Sequence, residues 1–168
     1  MEKKNIIARG EGKSYYDQSF SKQEVISTVK LNKILSFDEE TGLLECESGV
    51  TLEKIIKTLL PSGWFPYVVP GTKKLTIGGM MAANIHGKNH HKVGGMVNFV
   101  EEITLFDGQK LLKCSRKNKS DLFFSTFGGM GLTGLIVSCK VRLNNIKTTK
   151  IISKNIPTNG IQDMLKKL

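Results

Sequence analysis

No stretch of this chain approaches the roughly 20 consecutive apolar residues that a membrane-spanning helix requires. The N-terminus is also too short and too polar for a secretory signal peptide. Only four residues are proline and 39% are hydrophobic, which excludes a disordered chain. The 168 residues therefore suit one globular domain, or two small lobes, with a hydrophobic core.

Cysteine is scarce as well. Cys46, Cys114 and Cys139 are far apart, odd in number and without a CxxC spacing. This pattern predicts reduced thiols within strands rather than a disulfide framework. A cytoplasmic protein is the corresponding expectation.

The sequence lacks any run of five basic residues, although its formal net charge is +10. No stripe of aromatic residues is interleaved with the lysines. A generally solvated basic surface is therefore favoured over a nucleic-acid partner, and an anion-attracting face is the alternative.

Hydrophobic periodicity and turn residues predict a mixture of strands and helices. Thr51 can cap a helix over residues 52–60, and Ser120 can cap a helix over residues 121–127. A further helix is expected at residues 161–168. The predicted strands are 5–9 with Ile6 to Ala8 buried, 34–38, 43–47, an extended 64–69, 99–106, 109–114 and 135–143.

Glycine is abundant, and it clusters in three places. The first cluster, residues 9–17, follows a strand, and its alternating Gly10 and Gly12 favour a nest of N–H groups that binds an anion. An ordinary glycine turn is the alternative. Two familiar motifs do not fit here, because Ile7 occupies the first glycine position of a Walker loop and Tyr15 the last glycine position of a Rossmann fingerprint.

The second cluster, residues 70–91, is the segment around which the chain is organised. It starts with a Pro70-Gly71 turn and offers a helix start at Thr76, where the amides of Gly78 and Gly79 are placed to face an anion. The third cluster, residues 128–134, leads into the last strand. Three glycine bends of this kind are typical of a ligand held along its length by the main chain.

The segments 7–17, 70–72, 76–79, 86–91 and 131–134 resemble the flavin domain of the vanillyl-alcohol-oxidase superfamily, the PCMH-type FAD-binding domain. The resemblance covers roughly residues 5–143, and the run from His86 to His91 is its most specific part. Within the superfamily it is strongest to the oxidases of polyprenyl-phosphate-linked pentoses. Residues alone do not distinguish FAD from another dinucleotide.

The resemblance implies an α+β, two-lobed fold, with FAD between a first lobe at about residues 1–70 and a second at about 71–145. Residues 146–168 would form a basic tail that leads toward a substrate domain. Compared with the family, the chain is expected to be incomplete at its N-terminus and to lack that C-terminal domain. A separate chain that carries the substrate domain is an expected partner, and an exposed lobe edge favours self-association.

The resemblance also implies the FAD-binding residues. Residues 8–18 would surround the pyrophosphate and nearby flavin atoms. Residues 71–72 and 76–79 would continue the cradle, residues 86–89 would lie near the isoalloxazine and ribityl groups, and the backbone of Ile136 would meet the adenine side. The full set is Ala8, Arg9, Gly10, Glu11, Gly12, Lys13, Ser14, Tyr15, Tyr16, Asp17, Gln18, Gly71, Thr72, Thr76, Ile77, Gly78, Gly79, His86, Gly87, Lys88, Asn89 and Ile136. No catalytic residue is assigned.

Two positions in the first loop differ from relatives. Some members attach FAD covalently through a histidine just before the loop serine, and here that position is Lys13, so non-covalent FAD is expected. Tyr16 replaces a glycine that is common in the nearest relatives.

The histidines leave three interpretations open. His86, His90 and His91 have a spacing that a metal ion can use, but the run contains no cysteine or carboxylate, and Lys88 and Lys92 add positive charge. Hydrogen bonding to flavin or to a substrate phosphate is favoured, and loop packing is the remaining alternative. No metal is predicted.

The resulting hypothesis is an oxidoreductase domain that oxidises a sugar or polyol CH–OH group by hydride transfer to non-covalent FAD. The expected substrate is a small-molecule sugar or polyol, or a lipid-linked sugar such as a polyprenyl-phosphate pentose. The alternatives are a catalytically incompetent FAD-domain remnant or binding module, and a basic nucleic-acid-binding protein.

Overall fold

The computed structural model describes residues 6–167, which form eight strands and five α-helices. Asn5 and Leu168, at the outer ends of two predicted elements, lie outside the described residues. The strands are β1 (Ile6–Arg9), β2 (Glu24–Ser27), β3 (Ile34–Asp38), β4 (Leu43–Glu47), β5 (Trp64–Pro66), β6 (Val100–Phe106), β7 (Leu111–Ser115) and β8 (Leu135–Asn145). The helices are α1 (Leu52–Leu59), α2 (Ile77–Ala82), α3 (His90–Val93), α4 (Ser120–Thr126) and α5 (Ile161–Lys167).

A small parallel pair, β1 and β2, forms its own two-stranded sheet. The predicted first strand is confirmed within the described residues, but the expectation that it is buried is wrong. Ile6 is 46% exposed and its neighbours are half-buried, because among the described strands β1 pairs only with β2. Its end leads directly into the first glycine cluster.

The larger sheet has the order β3-β4-β8-β6-β7, and β5 pairs with the C-terminal end of β8. All of its pairs are antiparallel. Strand β8 is central and presents Ile136, Val141 and Leu143 to the core. Because β3 and β4 precede residue 70 but share this sheet with β6 to β8, the predicted lobe boundary does not separate two sheets. The division into lobes at that residue stays a prediction.

Local chemistry sets the helix starts. The Thr51 side chain accepts a hydrogen bond from the N–H of Lys54 at 3.2 Å, as predicted, and α1 buries Leu52, Ile55 and Leu59. Ser120 is not the cap of α4, contrary to prediction. Lys119 is the residue that precedes this helix, and its carbonyl accepts the N–H of Phe123, so Ser120 is already the first helical residue.

The β6–β7 turn is longer than predicted. The Asp107 carboxylate accepts hydrogen bonds from the N–H groups of Gln109 and Lys110 at 2.8 and 2.9 Å. These two residues are therefore held in the turn, and β7 begins at Leu111. The same two backbone bonds lower the pKa of Asp107 below its ordinary value.

All three cysteines are free, buried and within strands, as predicted. Cys46 and Cys139 stand opposite each other on β4 and β8, with their sulfur atoms 3.9 Å apart. The hydrogen bond to Cys46, together with burial, raises the pKa of Cys139 well above its ordinary value. A protonated, enclosed thiol of this kind is a packing residue and not a nucleophile. Within residues 6–167, helix length and apolar content together rule out a bilayer-crossing helix.

Candidate functional site

The first glycine loop presents unbonded main-chain donors. Among the described residues, none of the backbone N–H groups from Gly10 to Ser14 donates a hydrogen bond. Gly12 has φ +61°, a conformation that glycine adopts without strain. The Arg9 guanidinium folds back over this loop and donates to the carbonyl of Ser19 at 3.4 Å. Free amides beside a cation form an arrangement that suits an anionic ligand.

This loop touches the start of α2. A Cβ atom placed on Gly10 would lie only 2.1 Å from Thr76 Oγ1. Thr76 is buried and caps α2, because its hydroxyl accepts the N–H of Gly79 at 3.3 Å. The predicted helix start at Thr76 is confirmed. The first two glycine clusters therefore meet at a single point.

The expectation that the amides of Gly78 and Gly79 face an anion is wrong. Gly78 donates its N–H to the carbonyl of Ser48 at 2.8 Å, and Ile77 donates to the carbonyl of Val50. The Gly79 N–H is the one that the Thr76 hydroxyl satisfies. Gly78 instead allows α2 to pack closely against Ser48, since a Cβ atom at position 78 would lie 2.9 Å from the Cβ of Ser48. The contact of these residues with FAD stays a prediction.

The third glycine cluster contacts the C-terminal end of α2. The Met130 N–H donates to the carbonyl of Ala82 at 3.0 Å. In the same bend, a Cβ on Gly131 would lie 3.6 Å from Ile7 Cδ1 of β1. Helix α2 thus has the first cluster at its N-terminus and the third at its C-terminus.

The histidine run is fixed to the segment that precedes Pro70. Asn89 donates its side-chain N–H to the carbonyl of Tyr67 at 3.2 Å, and Gly87 packs against the backbone of Val69. The rings of His86 and His90 lie 4.5 Å apart, and both side chains are exposed. Across residues 6–167, no cluster of three or more histidine, cysteine or acidic side chains is arranged to hold a metal ion.

The remaining predicted site residues lie at the edges of this region. Gly71 and Thr72 are in an exposed loop, where Thr72 Oγ1 accepts the N–H of Lys74 at 3.2 Å. Ile136 is buried at the start of β8. The carbonyl of the next residue, Val137, accepts the N–H of Ser48, so the start of β8 is linked through Ser48 to Gly78 and α2.

Sequence reasoning missed Ser48. This residue is 1% exposed, joins β8 to α2 through its backbone, and has a hydroxyl without a hydrogen-bond partner among the described residues. The sequence signal that could have identified Ser48 is a small polar residue directly after a buried strand. Asn84 was also missed, and its side-chain oxygen accepts the N–H of Val97 at 3.1 Å next to the histidine run.

The sequence comparisons decide the family of this chain. The sequence model of the FAD binding domain family matches residues 1–115. The chain belongs to this family. The first glycine loop fits FAD in one respect: the N–H groups of Gly10 to Ser14 donate to no acceptor in the described part of the chain, and a diphosphate requires such donors.

The FAD-binding domain is similar to several oxidoreductases. It is 35% identical over 165 residues to the decaprenylphosphoryl-beta-D-ribose oxidase of Mycolicibacterium smegmatis, which covers 96% of this chain and 36% of the relative. It is 29% identical to cytokinin dehydrogenase 1 of Arabidopsis thaliana, over 82% of this chain and 25% of the relative. It is 28% identical to a D-lactate dehydrogenase of Anaerostipes hadrus, over 84% and 31%. The chain thus spans about a third of these proteins or less.

The conformation of Tyr16 gives a first prediction. Tyr16 has φ +53° and is 98% exposed, so its ring makes little contact while its backbone is strained. We expect Tyr16→Gly to raise the free energy of unfolding by up to about 1 kcal/mol, measured by urea denaturation. Tyr15→Gly is the control, since Tyr15 is 81% exposed without a positive φ. Equal effects of the two changes would show that strain at Tyr16 is unimportant.

Proposed function

We propose that this chain binds FAD non-covalently and serves as the cofactor-binding part of an oxidoreductase that acts on a CH–OH group of a lipid-linked sugar. The observation that carries the proposal is the meeting of the three glycine clusters around α2. In the first cluster, the N–H groups of Gly10 to Ser14 donate to none of the described residues. The cytoplasm is the proposed location.

The proposal assigns separate tasks to separate segments. The first loop would hold the diphosphate through main-chain N–H groups, with the nearby Arg9 adding positive charge. The exposed side chains of His86, Lys88 and Asn89 would lie toward the flavin ring or the substrate. FAD, when bound, supplies the hydride acceptor, and the protein supplies orientation and substrate choice.

Non-covalent attachment is supported by the first loop. Lys13 stands where the resemblance would place a linking histidine, and its side chain is exposed. Protein precipitated by acid is therefore expected to release all of its yellow pigment into the supernatant. Pigment that stays with the pellet would contradict this part of the proposal.

The lipid-linked sugar rests on one relative. The similar protein from Mycolicibacterium smegmatis is named a decaprenylphosphoryl-beta-D-ribose oxidase, and it covers 96% of this chain. A polyprenyl-phosphate pentose is thus the first substrate to test. Loss of the flavin absorbance band without oxygen would support turnover, whereas FAD that binds and stays oxidised would favour a binding module.

The diphosphate contact gives the second prediction. We expect FAD to bind at least about tenfold tighter than riboflavin, because charge-assisted hydrogen bonds to the diphosphate contribute roughly 1.5–3 kcal/mol each. Titration with flavin fluorescence measures both affinities. Equal affinities would mean that the loop amides do not recognise the diphosphate, and the absence of binding would remove the proposed function.

A further inference from the structure

The net positive charge of this protein is not spread evenly along the chain, because acidic residues are scarce in its last third. Residues 1–108 contain thirteen lysines and arginines and thirteen acidic residues, whereas residues 109–168 contain twelve and two. The whole net charge of +10 therefore belongs to the last third of the sequence.

Many of these lysines lie in two segments that follow strands at the same end of the larger sheet. Ser115, the last residue of β7, pairs with Glu102 on β6, and Val100, two residues earlier on β6, pairs with Val141 of β8. The loop that follows β7 and the tail that follows β8 consequently start from the same end of the sheet. Their exposed lysines, here called the basic end, are Lys117, Lys119, Lys147, Lys150 and Lys154.

The basic end is not neutralised by the part of the chain that the structure describes. The two cations within β8 are paired, Lys140 with Glu102 at 3.6 Å and Arg142 with Glu101 at 2.6 Å. By contrast, none of the five lysines of the basic end forms an ion pair with a carboxylate of residues 6–167. Such a surface attracts a partner with several negative charges.

Aliphatic side chains alternate with these lysines in the tail. Ile151 and Ile152 are 91% and 101% exposed, and Ile156 is 50% exposed. They lie between or just after Lys150 and Lys154, so one short segment presents both positive charge and apolar surface. Lysines beside aliphatic side chains match the boundary between anionic headgroups and acyl chains of a bilayer.

We propose that the tail, residues 147–156, and the rest of the basic end bind the surface of an anionic lipid bilayer. A nucleic-acid partner fits less well, because residues 109–119 and 146–167 contain no aromatic side chain on which bases stack. The biological role of this binding rests on the proposed function, because a lipid-linked sugar is presented at a membrane surface. The binding itself stands on charge and exposure alone.

Vesicle sedimentation tests whether the basic end binds an anionic bilayer. The purified chain is expected to bind vesicles of phosphatidylcholine with about one-third phosphatidylglycerol, to bind pure phosphatidylcholine far less, and to be released by high salt. Replacing Lys147, Lys150 and Lys154 by Gln should weaken binding by on the order of a hundredfold. Replacing Ile151 and Ile152 by Ser should weaken it without changing the charge.

The matched control changes three exposed lysines outside the basic end, Lys22, Lys30 and Lys33, to Gln. This variant has the same net charge as the tail variant and is expected to keep most of its vesicle binding. Equal losses in the two variants would overturn the proposal, as would tighter tail-dependent binding to single-stranded DNA, or tail-dependent dimers with no vesicle binding.

FAD affinity is measured on the same variants. The tail variants are expected to bind FAD as the unchanged chain does, so vesicle binding and cofactor binding fail independently. An unchanged chain that binds FAD but does not bind the anionic vesicles would refute the proposed bilayer binding alone. Vesicle binding without FAD binding would refute the proposed function alone.

Discussion

Gly10→Ala is expected to lower the free energy of unfolding by about 1–3 kcal/mol and to weaken FAD binding at least about tenfold. The added methyl carbon would lie 2.1 Å from Thr76 Oγ1 and 3.0 Å from its Cγ2. Overpacking of this kind costs about 1–3 kcal/mol, and displacing the Thr76 hydroxyl also weakens the cap of α2. Urea denaturation and FAD titration measure the two effects.

A double-mutant cycle isolates this contact. Because Thr76→Ala removes both close atoms, Gly10→Ala should cost less in the Thr76→Ala background than in the unchanged chain. Gly71→Ala is the stability control, since no atom lies within 4 Å of its added Cβ. Additive effects of Gly10→Ala and Thr76→Ala would show that the first loop does not rest on the start of α2.

Gly78→Ala is expected to destabilise the protein by about 1–3 kcal/mol, whereas Gly79→Ala next to it should change stability by about 1 kcal/mol or less. At position 78 the new Cβ would lie 2.9 Å from Ser48 Cβ and 3.0 Å from its backbone oxygen. The same backbone oxygen accepts the Gly78 N–H, so α2 cannot move away without losing that bond. This clash exceeds the gain of up to about 1 kcal/mol that alanine brings to a helix.

Gly79 is the matched neighbour in the same helix. Its added Cβ would meet only Thr76 Oγ1, at 3.2 Å, and the residue is exposed. Thermal unfolding of both variants gives the comparison. If Gly78→Ala proves as stable as Gly79→Ala, the close approach of α2 to Ser48 is not a determinant of this fold.

Local chemistry made part of the fold predictable. The β3–β4 hairpin and α1 were placed correctly because their turn, their cap and their apolar periodicity lie within a few residues of one another. Strand β2 was not predicted. It has four residues, all exposed, and its pairing with β1 joins segments some 18 positions apart, so no local pattern marks it.

The candidate site was predictable only at the level of segments. The glycine pattern marked a bend with an accessible main chain at Gly10 and Gly12, and a close approach of the main chain at Gly78 within α2. A glycine pattern does not tell whether its N–H is free, because that depends on a distant acceptor. The amides of Gly10 to Ser14 donate to no acceptor within residues 6–167, whereas the carbonyl of Ser48, thirty residues away in sequence, accepts the N–H of Gly78.

The most direct test of the account is an FAD titration of the isotopically labelled chain, followed by amide chemical shifts. The central claim is that main-chain donors of separate bends hold one cofactor. The account predicts saturable shifts with a single affinity for the amides of Gly10 to Ser14, together with those of residues 86–89, while residues 147–167 stay unchanged. The account would be contradicted if the amides of the first loop did not shift, or if the shifts of the two segments saturated at different FAD concentrations.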